Sequence, residues 1–164
     1  MLLLGVSPLV AAPRDLDVKA VFLFRFAQFV EWPADAFPTP DAPIVIAVVG
    51  EDALAAALDR VVAGERLQGR PFEVRRYHRP DQVERCHVLY IAPSNAGDVA
   101  QVLVRLRGQP TLTVGDAPEF ARTGGMIRFF SHQGRLRLEV NNTAARGAGL
   151  ALSSKLLRIA EIVR

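Results

Sequence analysis

Cysteine occurs once in the 164 residues, as Cys86. A lone cysteine closes no internal disulfide, and the expectation for it is a small buried hydrophobe in a strand. Lysine is nearly absent too, at positions 19 and 155 only, so the net charge of +3 is carried by arginine. The arginines are scattered among acids, and only Arg75, Arg76 and Arg79 cluster. No nucleic-acid-binding motif accompanies that cluster, so it reads as a solvated strand end and a nucleic-acid partner is not expected. Long apolar runs are missing as well. The opening MLLLGVSPLVAA is too short to span a bilayer. It has the apolar stretch and small-residue end of a Sec-type export signal, without the basic leader, as if truncated at its start. Cleavage is expected near Ala11 or Ala12, which divides the chain into a signal-like segment (1–12) and one domain (13–164). Export implies the periplasm, an oxidising compartment in which Cys86 has no partner.

Recognisable catalytic spacing is also lacking. Gly50 follows an apolar run at the address of a dinucleotide loop, but GEDALA lacks the further glycines and puts acids where pyrophosphate would lie. Ser94 in PSNAG and Ser131 in a hairpin turn do not form a nucleophile elbow. His78, His87 and His132 fall in three different elements. Cys86 and His87 are strand neighbours whose side chains leave in different directions, so no metal site is expected. Asp116 reads as a turn cap, and Glu139, between Leu138 and Val140, has no second acid at a useful spacing. A hydrolase using Ser94 or Ser131 with His132 is the weakest reading. The composition is that of a binding protein without a cofactor.

What the chain has is an aromatic amino-terminal stretch, Asp17 to Pro38. Four of its nine phenylalanines lie between positions 22 and 29. Val18, Val21, Phe22, Phe26 and Phe29 fall at helical spacing and predict an apolar stripe, with Leu23, Phe24 and Val30 outside it. A helix apolar around much of its girth needs cover on more than one side, from its own sheet and from a second copy. Trp32-Pro33 is expected to end it. Phe29, Trp32 and Phe37, rimmed by Glu31 and Asp35, are the candidate partner-binding anchors.

Beyond it, IVIAVV (44–49) predicts a central strand covered on both faces, and Asp52 to Val62 a helix capped by Asp52 and stopped by Gly64. Strands follow at Phe72–Tyr77, Cys86–Ile91 and Thr111–Val114, with a helix after Ser94 and a helical turn from Asp116 to Arg122. Met126–Phe130 and Leu136–Val140 predict a hairpin turning at Gly134. Asn141-Asn142 caps a short helix, and Leu152, Leu156, Ile159, Ala160 and Val163 predict a final one. The fold class expected is α/β: a single-domain three-layer sandwich, its mixed sheet mostly parallel, with a C-terminal hairpin and flanking helices.

Taken in order, VKAVFLFRFAQFVEWPADAF, IVIAVVGED, CHVLYIAPS, TLTVGDAPEFARTGGMIRFF, RLRLEVN and LALSSKLLRIAEIV resemble the YfiR-like family of periplasmic regulators. The patterns FxxFVEWP and VGDAPxFxxxGGMI carry most of the resemblance, which spans Asp17 to Val163. It implies an exported, non-catalytic repressor that contacts the periplasmic sensor region of a membrane diguanylate cyclase and so lowers cyclic-di-GMP and biofilm formation. It also implies an OmpA-like peptidoglycan-associated lipoprotein as a second partner, a homodimer, and a pocket for small aromatic ligands. By resemblance, Glu139, Asn142 and Ala145 belong to the surface tied to that pocket and to lipoprotein binding; Phe22 and Phe26, from the aromatic stretch, are the candidates to line a ligand pocket with Glu139. A family cysteine expected opposite Cys86 falls near Ala47, so that bridge is missing. A small-ligand carrier without a cyclase partner is the alternative.

Overall fold

The computed structural model describes residues 13–93 and 96–163. Its organising strand is β2 (Ile44–Val49), every residue of which is buried. Alternation sends Ile44, Ile46 and Val48 into one core, and Val45, Ala47 and Val49 into another. Helix α1 (Pro13–Phe29) and helix α2 (Asp52–Val62) cover the first face; α3 (Ala96–Arg105) covers the second with Val99 and Val102. This is the three-layer α/β sandwich the sequence predicts.

Strand β1 (Val30–Glu31) follows α1, and β3 (Arg66–Leu67) hairpins into β4 (Arg70–Tyr77). Then come β5 (Val88–Ile91), β6 (Leu112–Gly115), β7 (Ile127–His132) and β8 (Arg135–Val140). The short α4 (Asn142–Gly147), β9 (Ala151–Leu152), α5 (Ser154–Arg158) and β10 (Glu161–Ile162) end the chain. The main sheet has the order β10-β8-β7-β6-β5-β2-β4-β3. Strands β4, β2, β5, β6 and β7 run parallel, and β7 and β8 form the antiparallel hairpin. From β2 the chain crosses to β4 on one side, and from β5 to β6 on the other. Crossovers of one hand in opposite directions put α2 and α3 on opposite faces.

The hairpin turns at Gln133-Gly134, both at positive φ (51° and 73°), as its glycine predicts. Asn141 caps α4 by accepting from the Ala144 N–H at 2.9 Å. Arg75, Arg76 and Arg79 each meet a carboxylate, of Glu73, Asp59 and Asp81, as a solvated strand end does.

Several expectations are corrected. The buried side of α1 is Ala20, Leu23, Phe24, Phe26 and Ala27, whereas Val18 and Val21 are 38% and 44% exposed. The predicted stripe is rotated because it counted bulky residues, while close helix packing selects the small Ala20 and Ala27. The helix ends at Phe29, earlier than Trp32, because Val30 and Glu31 pair with Leu152 and Ala151 of β9. The predicted final helix shrinks to the five residues of α5. Tertiary hydrogen bonds claim the chain on either side: Ser153 N–H donates to Phe29 O (2.8 Å) and Val163 N–H to Val140 O (2.9 Å). Asp52 does not cap α2; Glu51 is the cap residue and makes no side-chain bond. Ser94, proposed to cap α3, lies outside the described residues, as does the signal-like segment.

Residues 117–124 are turns, not helix, and they explain the spacing of VGDAPxFxxxGGMI. Phe120 folds back over Gly115 and Gly125, where an added Cβ would sit 2.8 and 2.2 Å from its ring. Gly125→Ala is therefore expected to lower stability by about 1–3 kcal/mol in urea unfolding. Phe120→Leu in that background should recover part of the loss, and wild-type stability of Gly125→Ala would refute the close contact.

Candidate functional site

Where α1 gives way to β1, a proline-led 3-10 turn (Ala34–Ala36) brings the chain back over the start of β5. Here the aromatic residues converge. His87 is 7% exposed at the foot of β5. Its Nδ1 accepts from the Val45 N–H (3.0 Å), so the proton sits on Nε2, which donates to Ala36 O (2.8 Å). Phe37 stacks on the imidazole with ring centres 4.4 Å apart, and Trp32 meets it edge-on at 5.5 Å. The Arg70 guanidinium lies 3.8 Å from the Phe37 ring centre and also donates to Thr39 O and Ala42 O, each at 2.9 Å. Trp32 Nε1 donates to Ala27 O at 3.4 Å, tying the corner back to α1.

Beside this corner runs a groove of about 270 Å³, lined by Glu31, Trp32, Pro33, Phe37, Leu67 and Arg70 among others. Trp32 and Phe37 are half-buried, while Glu31 and Asp35 are exposed. The arrangement has rigid apolar edges, a fixed cation and an acidic rim. That chemistry suits recognition of a protein segment. Burial holds the His87 imidazole below its ordinary pKa, with Arg85 and Arg70 adding to the effect and the bond to Ala36 opposing it. Sequence reasoning used His87 only to exclude a metal, and so missed its role as the pin of this corner, with Arg70 as its outer clamp.

A second cluster has no local sequence signal. Lys19 Nζ donates to Asp116 Oδ2 at 2.9 Å, and the Tyr90 hydroxyl donates to the same oxygen. Both charged side chains are 15% exposed. Asp116 is thus an anchor for α1, not the turn cap expected of it. Burial, reinforced by the Asp116 charge, raises the Tyr90 pKa and keeps its phenol protonated. The cluster positions a helix and carries no nucleophile. Cys86 is likewise unreactive: buried in the second core, its thiol is pushed up to about 12, chiefly by burial.

The remaining candidates separate. Phe22 and Phe26 touch each other and Phe129, with ring centres 5.9, 6.1 and 5.8 Å apart, but Phe26 is fully buried. Leu138 and Val140 enter the core under α1, so alternation turns Glu139 to the opposite face. Glu139 therefore does not join Phe22 and Phe26 in one pocket. Its Oε1 is buried 3.7 Å from Arg128 Nη1 and makes no hydrogen bond. Asn142 is half-buried at the start of α4, and Phe29 is half-buried at the end of α1. Ala145 is fully buried. Its methyl packs in the core, which corrects its place on a contact surface. Ser131 and His132 are both exposed and, as consecutive strand residues, project oppositely. Among the described residues no three His, Cys, Asp or Glu side chains come together to hold a metal ion. Nor is any helix among them long and apolar enough to cross a membrane.

The family model described as YfiR/HmsC-like matches residues 16–161. No curated protein matches the chain.

The His87 geometry predicts a pH dependence. The folded state holds the imidazole neutral, because a protonated ring cannot accept from Val45. Stability should be level above about pH 6.5, the unfolded-state pKa, and fall as pH drops below it. Urea midpoints between pH 7.5 and 5.5 check this, and His87→Gln should flatten the slope. An identical slope in the variant would place the titration elsewhere.

Proposed function

Because the chain belongs to the YfiR/HmsC-like family, we propose that it is a periplasmic regulatory protein. It represses a membrane diguanylate cyclase by contacting that enzyme's periplasmic sensor region, which lowers cyclic-di-GMP and biofilm formation. The observation that carries this reading is the match over residues 16–161, nearly all of the described chain. The aromatic corner supports it by offering a docking surface, and no catalysis is assigned. On this reading Trp32, Phe37 and Phe29 contribute apolar contact, and Glu31 and Arg70 set orientation at the rim. Asn142, half-buried at the start of α4 just beyond β8, marks a separate surface, where an OmpA-like lipoprotein would dock to relieve repression.

Deleting the gene should raise cyclic-di-GMP and biofilm, and the purified protein should capture the cyclase's sensor region. Trp32→Ala should weaken capture by about thirtyfold, the loss of a central aromatic anchor. Glu31→Arg, at an exposed position, gives a second test without disturbing the fold. Unchanged cyclic-di-GMP in the deletion strain would defeat the proposal. Quenching of Trp32 fluorescence by an aromatic metabolite, without any captured protein, would favour the small-ligand reading instead.

A further inference from the structure

Strand β6 stops short of its neighbour. It pairs with β7 only through Val114↔Ile127 and Gly115↔Arg128, while β7 runs on to His132. Asn141 N–H donates to Met126 O at 2.8 Å, so alternation gives the main-chain groups on the β8 side to Met126, Arg128, Phe130 and His132. Those of Phe129 and Ser131 point to the other edge. Ser131 lies beyond the last pairing with β6, so its N–H and C=O meet no strand among the described residues. An unpaired edge of this kind is a template for another extended chain.

A cleft of about 340 Å³ opens along that edge, where β6 would have continued. Asp15 and Lys19 of α1, Asp116 after β6, and Phe129, Ser131 and Leu136 of the hairpin line it. Arg128 borders it through its backbone, because its side chain turns to the opposite face beside Glu139. Lys19 is already engaged by Asp116 Oδ2, and Asp116 Oδ1 makes no hydrogen bond. Asp15 is exposed and has no ion pair among the described residues. Two carboxylates against one lysine leave the cleft negative. The positive end of α1, worth about half a charge, does not reverse that balance.

We propose that this cleft takes the free amino end of an extended peptide, which adds to β7 in line with β6. The charges fix the direction. A peptide running parallel to β7, as β6 does, begins beside Asp116 and Asp15 and sets its ammonium between them. An antiparallel peptide would bring its carboxylate to the same two acids. Main-chain bonds to Ser131 then hold the chain whatever its side chains, so affinity rests on the backbone and on the amino end. The cleft lies at the other end of α1 from Trp32, so this reading and cyclase docking fail independently.

Calorimetric titration of the purified protein with the synthetic tetrapeptide Ala-Val-Thr-Val, its carboxyl end amidated, tests the proposal. The free-amine peptide should bind, and N-acetylation should weaken it by at least about tenfold, the loss of a charge-assisted contact. Ser131→Pro removes the open-edge donor and leaves the bonds to β8 in place. It should melt as the wild type does and bind at least about tenfold more weakly. Asp15→Asn, at an exposed position without a partner, should weaken the free-amine peptide by about threefold or more and leave the acetylated one unchanged. Four results would each overturn the assignment: no binding of the free-amine peptide, equal binding of the acetylated one, wild-type binding by folded Ser131→Pro, or valine amide binding as tightly as the tetrapeptide. Should Ser131→Pro fail to fold, the acetylated peptide and Asp15→Asn still decide.

Discussion

The rotational setting of α1 is the constraint from which the outer surface of the molecule follows. A helix with apolar residues around most of its circumference has several acceptable ways to lie on a sheet. Two features select one. Ala20 and Ala27 allow close approach on one side, where bulkier residues would hold the helix away. Lys19, near the start of the helix, reaches down to Asp116 at the end of β6, 97 residues later in the chain. Turning α1 by even a quarter would strip Asp116 of this partner in a largely dry site, where an uncompensated charge costs several kcal/mol. With that angle fixed, Leu23 and Phe24 face inward and Val18 and Val21 face outward.

The opposite end of α1 is set by a different kind of contact. His87 uses both ring nitrogens to join β2 to the loop after β1, so that loop, the helix end and the central sheet move as one piece. Aromatic rings packed on the imidazole exclude water from those bonds, and Arg70 closes the stack. The groove beside Trp32 is consequently carried on rigid elements rather than on a free loop, which lowers the entropy cost of recognition. Helix α1 thus joins two surfaces of different character: a corner with a charged rim at its end, and an apolar seam along its outer side.

Much of this could be read from local pattern. The uninterrupted apolar run of β2, the glycine of the hairpin turn and the asparagine cap of α4 each act through near neighbours, so their sequence signals survive. The aromatic corner was visible through Trp32-Pro33 and Phe37. What could not be read depends on residues distant in the chain. Lys19 looks like any helical lysine until Asp116 arrives beside it, and Tyr90 looks like one more apolar strand residue. Counting Val and Phe put the α1 stripe on the wrong side, because periodicity finds apolar faces without ranking them when a helix has two. The last segment has helical spacing, yet β8 and β1 supply better hydrogen-bond partners than a continued helix would. Ala145 was assigned by resemblance to a surface, whereas its place is decided by packing.

Strands β1 and β9, together with the bond from Ser153 to Phe29, join the first helix to residues made more than a hundred positions later. A ribosome adding about 5–20 residues per second finishes that partner strand roughly 6–24 s after α1 has emerged. The greasiest part of the nascent polypeptide is therefore synthesised among the first and fastened among the last. During that interval both of its apolar sides are open to whatever chaperone or translocation factor meets the chain.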